Sequence, residues 1–259
     1  MKLSGRLALI VGTVLLVACG TSRTQAAQDQ DEKTVAAAIR SAMVQGVAFK
    51  LDETLTLTGG SIPSGQMAKA HATASSGLAR DDSAQFGYTF DQGGGHVNRY
   101  DMTLADQQIY VRNQGSSAWK TTPVSLVTPY FAAARLDLVR ETVLLARSIS
   151  GAGYTHVGSG FARRYAAKPA ADQLEQLESA PVAGAAETQF LKTATAEVDV
   201  FLALQANQLL RIEVHTTEVD PSNGVKQTVD SAVDIRPARV ATINAPTDAT
   251  TVSPSNILS

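Results

Sequence analysis

Few residues of this 259-residue chain combine the types and spacing that chemistry demands. The four histidines, His71, His96, His156 and His215, fall in four different segments, with no HxH or HxxxH pair. Zinc needs three or four converging ligands, so neither a metal nor another cofactor is expected. No serine has glycine at both −2 and +2, which removes the nucleophile-elbow pattern, and Gly158-Ser159-Gly160 reads as a turn. Gly93-Gly94-Gly95 and Gly59-Gly60 lack the Lys-Ser/Thr ending of a phosphate loop and open no helix. The paired acids Asp81-Asp82, and Asp29 with Asp31, sit in polar stretches where solvated charge is the default. Arg163 and Arg164 would point to opposite faces of a strand. One of them could meet a lipid phosphate, but two surface charges are the plainer reading. These patterns predict no enzyme.

The one remaining reactive group is the thiol of Cys19, the only cysteine. Ahead of it lie a positive segment with Lys2 and Arg6, then an apolar run from Leu7 to Val17, then Ala18. Positive, apolar, small: that order is a secretory signal. The run is too short to span about 30 Å of hydrocarbon as a permanent helix. Leu16-Val17-Ala18-Cys19 resembles the bacterial lipobox. The resemblance implies cleavage before Cys19 and a diacylglycerol on its sulfur. Residues 1–18 are then a signal peptide and residues 19–33 a lipidated N-terminus with a flexible polar tether. The expected place is outside the cell, anchored by lipid on the outer face of the cytoplasmic membrane. A single cysteine forms no intramolecular disulfide, so the domain must rest on its apolar core. Removing Lys2 and Arg6 from the 22 basic side chains leaves 20 against 24 acidic ones, a net charge of −4. With no basic block, nucleic acid is not an expected partner.

The elements follow from periodicity. Val35, Ala38, Ile39, Ala42 and Met43 recur at helical spacing, and Gly46 supplies a stop. From Phe49 the period is two: Phe49, Leu51, Leu55 and Leu57 share one face, with Glu53 the exception on it. One wet face and one apolar face mark an antiparallel sheet. Further strands are expected at 66–74, at Phe86–Phe90, at 97–104 and 107–113, and near Trp119-Lys120. Thr128-Pro129 then caps a long helix, Tyr130 to Ile149, whose apolar residues spread over more than half its circumference. Strands at 154–157 and 161–167, a short helix at 169–177, an irregular stretch at 179–196, and strands at 197–204, 209–219 and 225–236 complete the order. Val240 to Pro246 is the last expected structured piece, and 248–259 reads as a disordered tail. Residues 34–247 form one α+β domain of antiparallel strands with helices gathered on one face.

Several stretches together resemble a known group. These are Val47 to Gly60 with Ile62-Pro63, Gln108-Ile109-Tyr110-Val111-Arg112 followed by Ala118-Trp119-Lys120, and the helix after Thr128-Pro129. The closing pieces are Val198 to Leu202, Leu209 to Ile212, and Val240 to Pro246. They look like the LppX/LprG group of actinobacterial lipoproteins, related in fold to the LolA/LolB carriers, over most of residues 35–250. The stretch 179–196 is long for that group. The resemblance implies a single strongly curved antiparallel sheet, a half-barrel, with helices on its concave face. It also implies a membrane-anchored protein that holds or carries acyl lipid or glycolipid, with an exporter or another envelope protein as partner. The implied lining is Leu51, Leu55, Leu57, Phe86, Tyr88, Phe90, Ile109, Val111, Phe131, Leu138, Leu145, Val198 and Val200, each equally suited to plain core. The alternative is a regulatory or protein-interaction lipoprotein of the same fold with no lipid ligand.

Overall fold

The alternation seen from Phe49 onward recurs through most of the chain, and every such stretch that is described forms a strand. The computed structural model describes residues 7–62, 68–81, 83–123, 149–167, 195–220, 222–253 and 256–258, with side chains from residue 26. Helix α1 spans Leu7–Gln45. The first six strands are β1 (Val47–Thr58), β2 (Lys69–Arg80), β3 (Ser83–Asp91), β4 (Val97–Ala105), β5 (Gln108–Asn113) and β6 (Trp119–Pro123). After these come β7 (Ser150–Val157), β8 (Gly160–Ala167), β9 (Thr195–Ala203), β10 (Leu209–Val219), β11 (Lys226–Pro237) and β12 (Ala249–Thr251).

All twelve strands join one open, curved sheet in the order β12-β6-β5-β4-β3-β2-β1-β11-β10-β9-β8-β7. The order describes two meanders, β1 to β6 and β7 to β11, welded by the antiparallel pairing of β1 with β11 from Val47↔Pro237 to Thr58↔Lys226. Register slips between Phe49 and Leu51 on β1, and between Ser75 and Leu78 on β2, add local twist to a sheet that already twists by chirality.

Helix α1 packs on one face of the sheet, its inner face. Its buried residues Val35, Ala38, Ile39 and Met43 meet the core. Gly46, at φ 88°, ends it and returns its N–H to the Ala42 carbonyl at 3.0 Å. The expected helix is present but longer. Its backbone stays helical through 20–30, where composition suggests a flexible tether. Two physical reasons are visible: Gln25, Ala26, Ala27, Gln28 and Gln30 are good helix formers, and the end of the run is fastened to the sheet. The Asp31 carboxylate accepts the Gly151 N–H at 2.8 Å and pairs with the Arg163 guanidinium at 3.0 Å.

The C-terminus departs from expectation too. Residues 248–259 are not a disordered tail throughout. Ala249–Thr251 pairs with Trp119–Thr121 as β12, the one parallel pairing among the described strands. Ile257 is 4% exposed, and the Tyr100 hydroxyl donates to the Leu258 carbonyl at 3.1 Å. Composition flagged polarity there but missed the single anchoring isoleucine. Val240–Pro246, read as a closing strand, has no ladder; Val240 is buried and its carbonyl accepts from Arg80. Strand β2 runs to Arg80, beyond the expected 66–74, because its ladder with β3 resumes after the slip. The expected helices at 130–149 and 169–177 lie outside the described residues, except for Ile149, which is buried. Among the described residues α1 is the one helix on the sheet, so the expected plurality of covering helices stands on α1 alone.

Candidate functional site

Cross-strand registers place the inner-face residues in rows. One row runs Tyr165, Val200, Ile212, Val233, Leu51, Ala74, Tyr88, Tyr100. The next runs Ala167, Val198, Val214, Ser231, Glu53, Ala72, Phe90. Beyond it lie Ala196, Thr216, Val229, Leu55 and Ala70. The first row belongs to a closed core. In the outer two, Phe90, Val214, Thr216, Val229 and Leu55 are only partly buried. Among the described residues the inner face is therefore sealed toward α1 and only partly covered at the other end.

Of the residues expected to line a pocket, Leu51, Leu57, Phe86, Tyr88, Ile109, Val111, Val198 and Val200 are buried. Leu55 and Phe90 lie at the partly covered margin. Phe131, Leu138 and Leu145 lie outside the described residues. The buried ones are not all neighbours. Strands β5 and β9 are seven steps apart in the sheet order, about 34 Å along it at roughly 4.8 Å per step. Ile109 and Val111 thus belong to one wing, Val198 and Val200 to the other. On β3 Phe86 meets Tyr88 edge-on at 6.4 Å and Tyr88 stacks with Phe90 at 6.5 Å.

Directly beneath α1 the described residues leave little space. Ile39, Ala42, Met43, Val47, Leu209, Ile212 and Ile235 enclose a crevice of about 10 Å³, room for one water at most. None of the expected lining residues borders it. Flexible Met43 and the branched chains of β10 and β11 fill this space, as a packed interior does.

The residue that stands out is Glu53. It points inward by the parity of β1, is 8% exposed, and accepts a hydrogen bond from the Ser231 hydroxyl at 2.7 Å. Burial pushes its carboxyl up to about 7, against a smaller downward pull from that hydroxyl. Among the described residues no positive charge contributes. The Tyr88 phenol is raised as well, by burial first, then by the charges of Glu53 and Tyr100. The signal was legible as one acid breaking an otherwise clean alternation. Its burial was not, because alternation says which way a side chain points and not what covers it.

Other candidates resolve into ordinary roles. Arg163 and Arg164 do point to opposite faces, but each meets a carboxylate: Asp31 at 3.0 Å and Asp199 at 2.6 Å. On the outer face His215 sits between Asp230, at 2.5 Å from Nδ1, and Thr217, at 3.5 Å from Nε2. The order Asp-His-Thr resembles a nucleophilic triad. It lies on an open, solvated sheet surface, where ladder hydrogen bonds occupy backbone N–H groups that an oxyanion hole would need. His71 pairs with Asp52 at 3.3 Å. His156 packs its ring against Phe161. His96 stands in the turn at Gly93. Among the described residues no group of three His, Cys, Asp or Glu could hold a metal, and no helix is long and apolar enough to cross a membrane.

Compared with solved structures, the chain is similar to LprF from Mycobacterium bovis. The TM-score is 0.42 and the identity 9%, over 84% of this chain and 97% of that one. It is similar to the lipoprotein LppX from Mycobacterium tuberculosis, with a TM-score of 0.42 and 12% identity, over 82% and 96%. A DUF1329 family protein from Desulfovibrio piger gives 0.33 and 9%, over 83% and 95%. No protein-family model matches the chain, and no curated protein does. At identities of 9–12% none of these likenesses assigns a role to a side chain here.

Proposed function

We propose that this chain is an exported lipoprotein, tethered through Cys19 to the outer face of the cytoplasmic membrane, that holds acyl lipid against the partly covered end of its inner face. The observation that carries this reading is the asymmetry of that face. Apolar rows continue past the packed core, and Leu55, Phe90, Val214 and Val229 remain only partly buried on them. Contiguous apolar surface left partly open marks an interaction site. Seating acyl chains there keeps apolar area from water during transit, with no bond made or broken. The reading makes the protein a carrier and not an enzyme.

The test is native mass spectrometry of the full chain purified from its own membranes. Co-purifying acyl lipid is expected, and Leu55→Asp with Val229→Asp should reduce it at least several-fold while leaving circular dichroism unchanged. Protein that emerges empty and takes up no lipid from vesicles would overturn the carrier and favour the interaction reading.

A further inference from the structure

We infer that Glu53 and Ser231 form a polar anchor on the inner face that selects amphiphiles with an uncharged hydroxyl beside their acyl chains, such as a diacylglycerol, over amphiphiles with an anionic head. The inference rests on the lipid-holding reading and deepens it.

A carboxyl at this position works against folding. Its row otherwise consists of Ala167, Val198, Val214, Ala72 and Phe90 beside Ser231, and a leucine would pack there without a desolvation cost. The usual remedy for a buried acid, a cation alongside, is missing among the described residues: its one hydrogen-bonded partner is the neutral Ser231 hydroxyl, itself 7% exposed. Nor does the acid face bulk water, as the other strand acids Asp52 and Asp230 do. It stands where the sealed core gives way to the partly buried Leu55, Val214 and Val229.

That placement sets the chemistry of what it meets. Acyl chains lying on the open rows bring the junction of their head group to Glu53 where those rows meet the packed core. Glu53 has acceptor sites beyond the one that Ser231 fills, and when protonated it also donates. A hydroxyl, which both donates and accepts, matches either form. Among the described residues a phosphate or carboxylate head finds no cation at the anchor, and it faces a like charge whenever Glu53 is ionised, in surroundings that screen poorly. Tyr88, diagonal to Glu53 in the adjacent row, adds an aromatic wall. Selection would thus come from repulsion as much as from attraction.

The experiment equilibrates the full chain, acylated at Cys19 and held in neutral detergent, with equimolar lipids of identical acyl chains: a diacylglycerol, its O-methyl ether, and a phosphatidylglycerol. Native mass spectrometry reads the bound ratios. The wild type should retain diacylglycerol at least five-fold over the ether and about ten-fold over phosphatidylglycerol. Glu53→Gln, which keeps the hydrogen bonding and removes the charge, should bring the second ratio down several-fold and leave the first near its wild-type value. Equal retention of diacylglycerol and its ether by the wild type overturns the anchor without involving any variant. So does an unchanged ratio to phosphatidylglycerol in Glu53→Gln. In both cases lipid is still bound and the carrier reading stands. Retention of none of the three overturns the carrier reading and the anchor with it.

Discussion

Glu53 keeps its proton more tightly in the folded chain than in the unfolded one, since burial lifts its carboxyl from 4.5 to about 7. Its contribution to stability is fully present below about pH 4.5. It declines as pH rises toward 7, because the unfolded chain then releases a proton that the folded chain retains. Across that window the loss amounts to up to about 3 kcal/mol. Glu53→Gln should therefore be nearly neutral at pH 4.5 and stabilising by about 1–3 kcal/mol at pH 8. Urea unfolding of both proteins at the two pH values checks this; a pH-independent difference would remove the buried-acid account. A second residue-scale test concerns Gly77, where a Cβ would lie 2.4 Å from the Phe49 ring. That ring is itself held edge-on to Phe86 at 5.7 Å. Gly77→Ala should cost about 1–3 kcal/mol by overpacking, and shortening the ring in Phe49→Leu should relieve most of that penalty in the double variant.

At the scale of elements, the two ends of the chain are fastened by few contacts. Asp31 ties α1 to β7 and β8, and it lies in a stretch whose polarity suggests a free linker. Short β12, Ile257 and the Leu258 carbonyl tie the C-terminal residues to β6 and β4. Ending the chain after Pro246 removes one buried isoleucine, worth about 1.5–3 kcal/mol, and one hydrogen bond, worth about 1 kcal/mol. It also bares the edge of β6, a template for unwanted pairing. The truncated protein should melt several degrees lower and aggregate faster on heating, as calorimetry and light scattering would read. An unchanged melting temperature would mean that the tail only rests on the sheet.

For the molecule as a whole, the proposed attachment at Cys19 and the folded sheet should be separable. Cys19 lies twelve positions before Asp31, which holds α1 to the sheet through Gly151 and Arg163. Cys19→Ala should therefore move the protein from the membrane to the soluble fraction of the envelope without changing its melting temperature by more than about 1 °C. Two acyl chains are needed for stable anchoring, so the shift should be nearly complete. Membrane retention of this variant would place the attachment elsewhere.

Sequence alone determined what short-range rules govern. Alternation at Phe49–Leu57, Phe86–Phe90 and Val198–Leu202 fixes strands and the direction of each side chain, because a pleat has a period of two. Spacing at Val35–Met43 with Gly46 fixes a helix and its stop. Tertiary structure decided everything that depends on which strand lies beside which. Pairing β1 with β11 brings Ser231 to Glu53 across 178 positions, and no local pattern encodes that meeting. The same pairing puts Ile109 and Val198 on opposite wings, and the packing of α1 fills the space beneath it. Burial is a property of what covers a surface, and the cover comes from residues far along the chain.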